Sequence, residues 1–388
     1  MFSTRTNWPL QPNRLAQLLS ERRARGLPIL DLAESNPTNC GLRLPEAEVL
    51  APLQNARALK YEPDPHGLRV AREAVARYYG ERGAPVDPDQ IFLTTSTSEA
   101  YSYVFRLLAN PGDRILTPQP SYPLFDFLGT LNDVEVVPYG LIYDDGWQAD
   151  LPALAACWNG RTRAILVVHP NNPSGSYVKR QEHAGMNNLC RRYQSAIIAD
   201  EVFADFGFAA DPERVTTHAA NQDALTFTLS GLSKICALPQ MKLGWIVVSG
   251  PPELRGEAMA RLEVIADTYL SVSAPVALAA PAWLEHRYVI QTQVLDRVQA
   301  NLRQAEDLFS CGSPVSPLKV EGGWYVVLRV PSTRSDEDWA VELLTQDGVS
   351  VHPGHFYDFP SPGYLVLSLL PEREVFREGL AKIAARIC

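Results

Sequence analysis

The chain has 388 residues, 46% of them hydrophobic and 20% charged, with a net charge of −9. That is enough for two lobes of an ordinary globular protein, and without a basic tract it argues against a nucleic-acid partner. No apolar run reaches the roughly eighteen residues of a membrane span, and the opening MFSTRTNWPLQPN lacks the apolar core of an export signal.

Residues 1–45 follow no alternating pattern and are expected to pack with a smaller C-terminal lobe. A large lobe is predicted over 46–279, and within it short apolar runs alternate with helix-like stretches. The runs are IFLT (91–94), RILT (114–117), VEVVPY (134–139), RAILVVH (163–169), SAIIAD (195–200), LTFTLS (225–230) and LGWIVVSG (243–250). Near-continuous apolar runs are what strands buried on both faces require. Stretches 98–109 and 177–193 between them carry helical spacing. The pattern predicts an α/β fold with a mostly parallel seven-stranded sheet between helices. After 280 a helix with Val294, Val298, Leu302, Ala305 and Leu308 on one stripe leads into a smaller α+β lobe over 280–388. GGWYVVLRVP and GYLVLSLL are its predicted strands. The six cysteines (Cys40, Cys157, Cys190, Cys236, Cys311, Cys388) contain no CxxC pair, which predicts reduced thiols in the cytoplasm and no metal site.

Five apolar runs end in small or polar residues: TSTSEA, PQPSYP, PNNPSG, EVFADF and GLSK. In an open parallel sheet the C-terminal strand ends form the ligand crevice, so these five are expected to converge. Taken alone, TSTSEA reads first as N-capping by Ser96 or Ser98, although a helix start also binds phosphate. Asp200 ends a buried run and needs a donor or cation, if only in a structural salt bridge. Asn172 before Pro173 fits an ordinary turn. Lys234 lies among small and apolar residues, where desolvation makes an amine nucleophilic.

Together these positions resemble those of fold-type I pyridoxal-phosphate enzymes of the class I/II aminotransferase family, over nearly the whole chain. The resemblance implies a pyridoxal 5′-phosphate cofactor joined to Lys234 as a Schiff base, with Lys234 also moving a proton. It implies that Asp200 faces the pyridine nitrogen, Asn172 the ring oxygen, and Tyr122 of PSYP the ring face. Ser96 and Thr97 correspond to the phosphate cradle, with Ser230 or Ser233 as hydroxyl donors. Tyr61 of YEPDPHGLRVAREAV resembles a tyrosine that reaches the neighbouring subunit's cofactor, which implies a homodimer with shared sites. The spacings from Asn172 to Asp200 and on to Lys234, 28 and 34 residues, suit the family. The implied reaction moves an amino group from an amino acid or amine to a keto acid; a decarboxylase or lyase, or a cofactor-binding protein without catalysis, are the alternatives.

The sequence departs from the family pattern at four places. Lys242 stands where an arginine usually forks onto the phosphate, and offers a point charge instead. Phe203 replaces a tyrosine that donates to the ring oxygen, and Ser35 replaces a glycine near the substrate carboxylate. Val366, in GYLVLSLL, stands where an arginine usually grips that carboxylate; Arg329, Arg373 and Arg377 are the nearby cations.

Overall fold

Apolar runs that need cover on both faces become the strands of one sheet. The computed structural model describes residues 1–388 apart from Ser271 and Cys311; of the six cysteines, Cys311 therefore lies outside the described residues, and the other five are free thiols. In chain order the strands are β1 (Leu30–Asp31), β2 (Ile91–Thr94), β3 (Arg114–Gln119), β4 (Glu135–Tyr143), β5 (Trp147–Ala149), β6 (Thr162–Val168) and β7 (Ala196–Asp200). They continue with β8 (Thr226–Gly231), β9 (Gly244–Ser249), β10 (Ser316–Pro317), β11 (Tyr325–Arg329), β12 (Val349–Ser350), β13 (His352–Pro353) and β14 (Tyr364–Ser368).

The large sheet has the order β2-β9-β8-β7-β6-β3-β4-β5. Strands β8, β7, β6, β3 and β4 are parallel, and β9 opposes both its neighbours, so β2 points with the parallel set. The sheet has eight strands where the sequence predicts seven. The extra one, β5, is a three-residue return that pairs antiparallel with the end of β4, too short to register as an apolar run. Alternation within the strands divides the cover. Ile91, Leu93, Trp245 and Val247 face the helices Arg69–Glu81 and Ala274–Leu308. Phe92, Ile246 and Val248 face Thr97–Leu108 and Pro252–Tyr269.

The smaller lobe is built on the antiparallel sheet β10-β11-β14-β13 and on the parallel pair β1-β12. Leu15, Leu32 and Cys40 from the N-terminal segment share its core with Val326, Leu328, Leu365 and Leu367. The 35-residue helix Ala274–Leu308 enters both lobes. Ala277, Trp283 and Leu284 belong to the large-lobe core, and Val294, Val298, Leu302 and Ala305 to the other. We propose that the lobes meet inside this helix, which runs uninterrupted through the boundary expected at 279. Its apolar stripe ends before Leu308, which is 45% exposed, because the cap residue Phe309 takes the buried place. No helix among the described residues is long and apolar enough to cross a membrane.

Candidate active site

The shared direction of β2, β3, β6, β7 and β8 brings all five polar strand ends to one edge of the large sheet. At the end of β2, Ser96 caps the helix Thr97–Leu108: its Oγ accepts the Glu99 N–H at 3.2 Å, and Glu99 returns a carboxylate oxygen to the Thr95 N–H at 2.7 Å. The hydroxyl is thus a cap, while the remaining first-turn amides, with Thr97 foremost, have no helical carbonyl to bond. Beneath them β8 and β9 approach closely. A Cβ on Gly231 would fall 2.8 Å from the Leu243 carbonyl oxygen, and one on Gly244 3.1 Å from Ser96. The strand ends therefore leave a cradle that only glycines permit. Ser230 is fully buried, and its hydroxyl donates to the Glu201 carbonyl at 3.3 Å, so that donor is already engaged; Ser233 is half-buried. Lys242 precedes β9 in a left-handed backbone (φ 54°), exposed and without an ion pair among the described residues.

Two adjacent acids end β7 and behave in opposite ways. Asp200 is 7% exposed; Tyr101 donates to its Oδ2 at 2.7 Å and the Val202 N–H to its Oδ1 at 3.1 Å. Burial nevertheless pushes its carboxyl up to about 6, because these donors and the Lys234 charge offset only part of the desolvation. Glu201 is equally buried, but the His218 N–H and Thr217 hydroxyl donate to it at 2.6 Å each, and the His218 ring Nδ1 lies at 3.1 Å. Burial raises it too, yet His218 wins and holds it at about 2. A carboxylate lowered by folding contributes stability above its unfolded value near 4.5, which is lost as pH falls toward 2. Glu201→Gln is therefore expected to destabilise the fold by on the order of 3 kcal/mol at pH 7. In denaturant titrations the gap to wild type should narrow at pH 3; a constant gap would mean that the charge contributes nothing.

Lys234 follows β8 on the short helix Leu232–Ile235, half-buried. Its Nζ lies 5.1 Å from the centroid of Trp324 and 5.6 Å from that of Phe203. Burial lowers its pKa against the pull of Asp200, which favours the neutral, nucleophilic amine. Phe203 is itself buried, its ring edge-on to Trp324 at 5.3 Å. Asn172, after β6, is 5% exposed, and its Oδ1 has no hydrogen-bond partner. Tyr122, after β3, keeps 37% of its surface exposed at the edge of the crevice.

The smaller lobe presents an uncharged wall. Val366 is fully buried, opposite Val327 and His352 in the sheet register, within a cluster of Trp147, Leu318, Val327, Tyr357 and Phe359. The Tyr357 hydroxyl lies 3.0 Å from His352 Nδ1. Burial pushes the Tyr325 phenol up to about 12, with half-buried Ser35 drawing it back. Each of the three candidate arginines is exposed and has a contact of its own. Arg329 is exposed over the Tyr143 ring, Arg373 donates to the Asp296 carbonyl at 3.4 Å, and Arg377 pairs with Glu374. Tyr61 is 75% exposed on a separate cavity of about 330 Å³ that it shares with Lys60, Asp64, Gly67 and Leu270.

An amine of lowered basicity, a buried carboxylate, an unpartnered Asn172 Oδ1 and a glycine-floored helix start together fit pyridoxal phosphate. No cluster of three or more His, Cys, Asp or Glu that could hold a metal exists among the described residues. Sequence reasoning missed Tyr101, Trp324, His218 and the Tyr357–His352 pair. Trp324 stands in GGWYVVLRVP, which was read only as a strand, and Tyr101 one helical turn past the cap. For His218, on a loop seventeen residues beyond Glu201, no local signal exists.

The profile of the family "Aminotransferase class I and II" matches residues 28–383. A glutamate-pyruvate aminotransferase of Haemophilus influenzae is 26% identical over 366 residues, covering 92% of this chain and 90% of that protein. An alanine aminotransferase of Mycobacterium bovis is 28% identical over 358 residues, 90% and 83% of the two chains. The crystal structure of an Escherichia coli aminotransferase superposes with a TM-score of 0.89 at 25% identity, covering 100% of this chain and 98% of its own.

Proposed function

The chain belongs to the class I and II aminotransferase family, and from that premise we propose a pyridoxal-phosphate-dependent aminotransferase whose amino donor is not held by an arginine fork. The activity and the cofactor are those of the family. The finer reading rests on one observation, the burial of Val366 in an apolar and aromatic wall where a cation would otherwise stand. When bound, the cofactor supplies an electron sink that makes a proton on the donor's Cα removable. In this reading the Lys234 amine would hold the cofactor covalently and, once displaced by the donor's own amine, would be free to take and return that proton. Asp200 would supply a negative charge to the pyridine nitrogen, Asn172 would meet the ring oxygen, and Tyr122 would cover the ring. The free amides after Ser96 would hold the phosphate, Thr97 first among them, together with Ser233 and Lys242. Phe203 and Trp324 exclude water from the Lys234 amine.

A carboxylate entering this wall would be desolvated without a partner, which is costly. The alanine and glutamate chemistry named for the relatives is therefore expected to be poor here. An amino-donor screen that follows the cofactor's absorbance should rank simple α-amino acids low in kcat/KM. Val366→Arg should raise their kcat/KM by tenfold or more, at a cost in stability, since the added cation would be enclosed by aromatic side chains. Efficient wild-type turnover of alanine or glutamate would sink the reading. A keto product without CO₂ or free ammonia separates transamination from decarboxylation or elimination.

The exposed Tyr61 supports a homodimer in which it reaches the partner's site, and the five free thiols support the cytoplasmic placement. The partners are then a small-molecule amino donor and a keto acceptor. Mixing inactive Tyr61→Ala and Lys234→Ala subunits should restore part of the activity, because some sites would carry neither defect. No recovery after verified subunit exchange would place each site within one chain.

A further inference from the structure

Tyr101 bonds the Asp200 carboxylate from 99 residues away in the chain, and its hydroxyl has no other hydrogen-bond partner among the described residues. The contact follows from strand alternation. On β7, Ala196 and Ile198 turn to the face covered by the helix Thr97–Leu108, where they share one cluster with Tyr101. Ile197 and Ala199 turn to the other face. Asp200, two residues beyond Ile198, therefore falls on the side of Tyr101, while Glu201 turns to His218. The Tyr101 side chain is buried, its ring edge-on to Phe125 at 5.5 Å and beside Phe105 at 5.9 Å, so the hydroxyl is held where it points.

Two observations set this contact apart from a core tyrosine that merely finds an acceptor. The first is position. Tyr101 stands one turn along the helix from Thr97, whose amide is foremost in the cradle. One rigid element thus places both the amides offered to a phosphate and the donor offered to Asp200, which have to meet separate points of one cofactor. The second is charge. The titratable groups that face Asp200 are Tyr101, Tyr122, Glu201 and Lys234. Glu201 opposes an ionised Asp200, and Lys234 favours it only while the amine is charged. The donors that hold the carboxylate ionised against its burial are two, Tyr101 on Oδ2 and the Val202 N–H on Oδ1. Only the first of them is a side chain that substitution can remove.

We propose that Tyr101 is a positioning residue for the amino transfer: its hydroxyl holds the Asp200 carboxylate oriented and ionised, so that the pyridine nitrogen facing it keeps a proton. The inference rests on the aminotransferase reading above and on the part given there to Asp200.

The test is nitrogen-15 magnetic resonance of holoenzyme reconstituted with pyridoxal 5′-phosphate labelled at the ring nitrogen, whose signal separates a protonated from a neutral pyridine. Tyr101→Phe keeps the ring and removes only the hydroxyl. At neutral pH wild type should give the protonated signal and Asp200→Asn the neutral one. Tyr101→Phe should fall between them, the equilibrium moved about tenfold, as expected for the loss of a hydrogen bond to a charged group. Its kcat should fall by about the same factor with KM little changed. A signal that Asp200→Asn moves and Tyr101→Phe does not would overturn the proposal and leave Tyr101 a packing residue. A signal that Asp200→Asn fails to move removes the part given to Asp200 and this proposal with it, so the two failures are told apart.

The apoprotein supplies a second measurement that needs no bound cofactor. The Asp200 carboxyl, raised by burial to about 6, loses its favourable contribution as pH rises through that value, and without the hydroxyl the loss runs further. In urea titrations the deficit of Tyr101→Phe should therefore widen above pH 6, and it should be independent of pH in an Asp200→Asn background. A deficit with the same pH dependence in both backgrounds overturns the proposal.

Discussion

Lys234→Ala is expected to lower kcat by at least about 10³-fold, because in the proposed reading one side chain both holds the cofactor covalently and, once freed, moves the proton. Borohydride reduction should label Lys234 in the wild-type protein and nothing in the variant, while the phosphate cradle retains part of the noncovalent affinity. The physical basis is the environment of the amine, between the Trp324 and Phe203 rings and lowered in basicity by burial. Lys234→Arg sharpens the test. A guanidinium keeps the charge and much of the length but never becomes a neutral nucleophile, so it should be as inactive as alanine. Peptide mapping that places the label on Lys242 would move the site to the other side of the cradle.

Asp200→Asn is expected to move activity and stability in opposite directions. Asparagine keeps the shape of the side chain and an acceptor for the Val202 N–H, but offers no charge to a pyridine nitrogen. A loss of about 10²-fold or more in kcat/KM should follow. In the cofactor-free protein the sign reverses. The Asp200 carboxyl sits at about 6 against 3.8 in the unfolded chain, so the folded state prefers it neutral. Its contribution is therefore most favourable below pH 4 and is lost as pH rises through 6, a penalty of about 3 kcal/mol at neutral pH. The asparagine variant escapes it and should be the more stable apoprotein above pH 6, the two curves converging near pH 4. A variant apoprotein less stable at pH 7 would show that Asp200 is held by its partners, not strained by burial.

These two acids also show where sequence reading stops. Asp200 was legible because it closes an apolar run at the crevice edge of a parallel sheet. Its neighbour Glu201 looks the same in sequence, yet it is bound to His218 and held near 2. Nothing local encodes that difference, since the partner arrives from a loop whose path is a tertiary outcome. Six of the seven main strands were legible because burial on both faces leaves no polar alternation to confuse; β4, where only Tyr139 is buried, was legible from its apolar run alone. β5 was not, since three residues held by a turn carry no periodic signal. Val366 was read, by the family resemblance, as standing in place of a cation. What replaces it was hidden, because the wall is assembled from Trp147, Tyr357 and Phe359, which reach it from two lobes.

The helix Ala274–Leu308 has a consequence beyond joining the lobes. At 1.5 Å per residue its 35 residues form a rod about 50 Å long. The rod is clamped at one end by Trp283 and Leu284 and at the other by Val298 and Leu302. Neither lobe can lose its grip without fraying an element that supplies part of the other's interior. Damage is therefore shared: a cavity cut at Leu302, well outside the crevice, weakens the anchorage of the chain that carries Trp324 over Lys234. Thermal inactivation and global melting should then track each other, and the protein behaves as one cooperative unit despite having two cores.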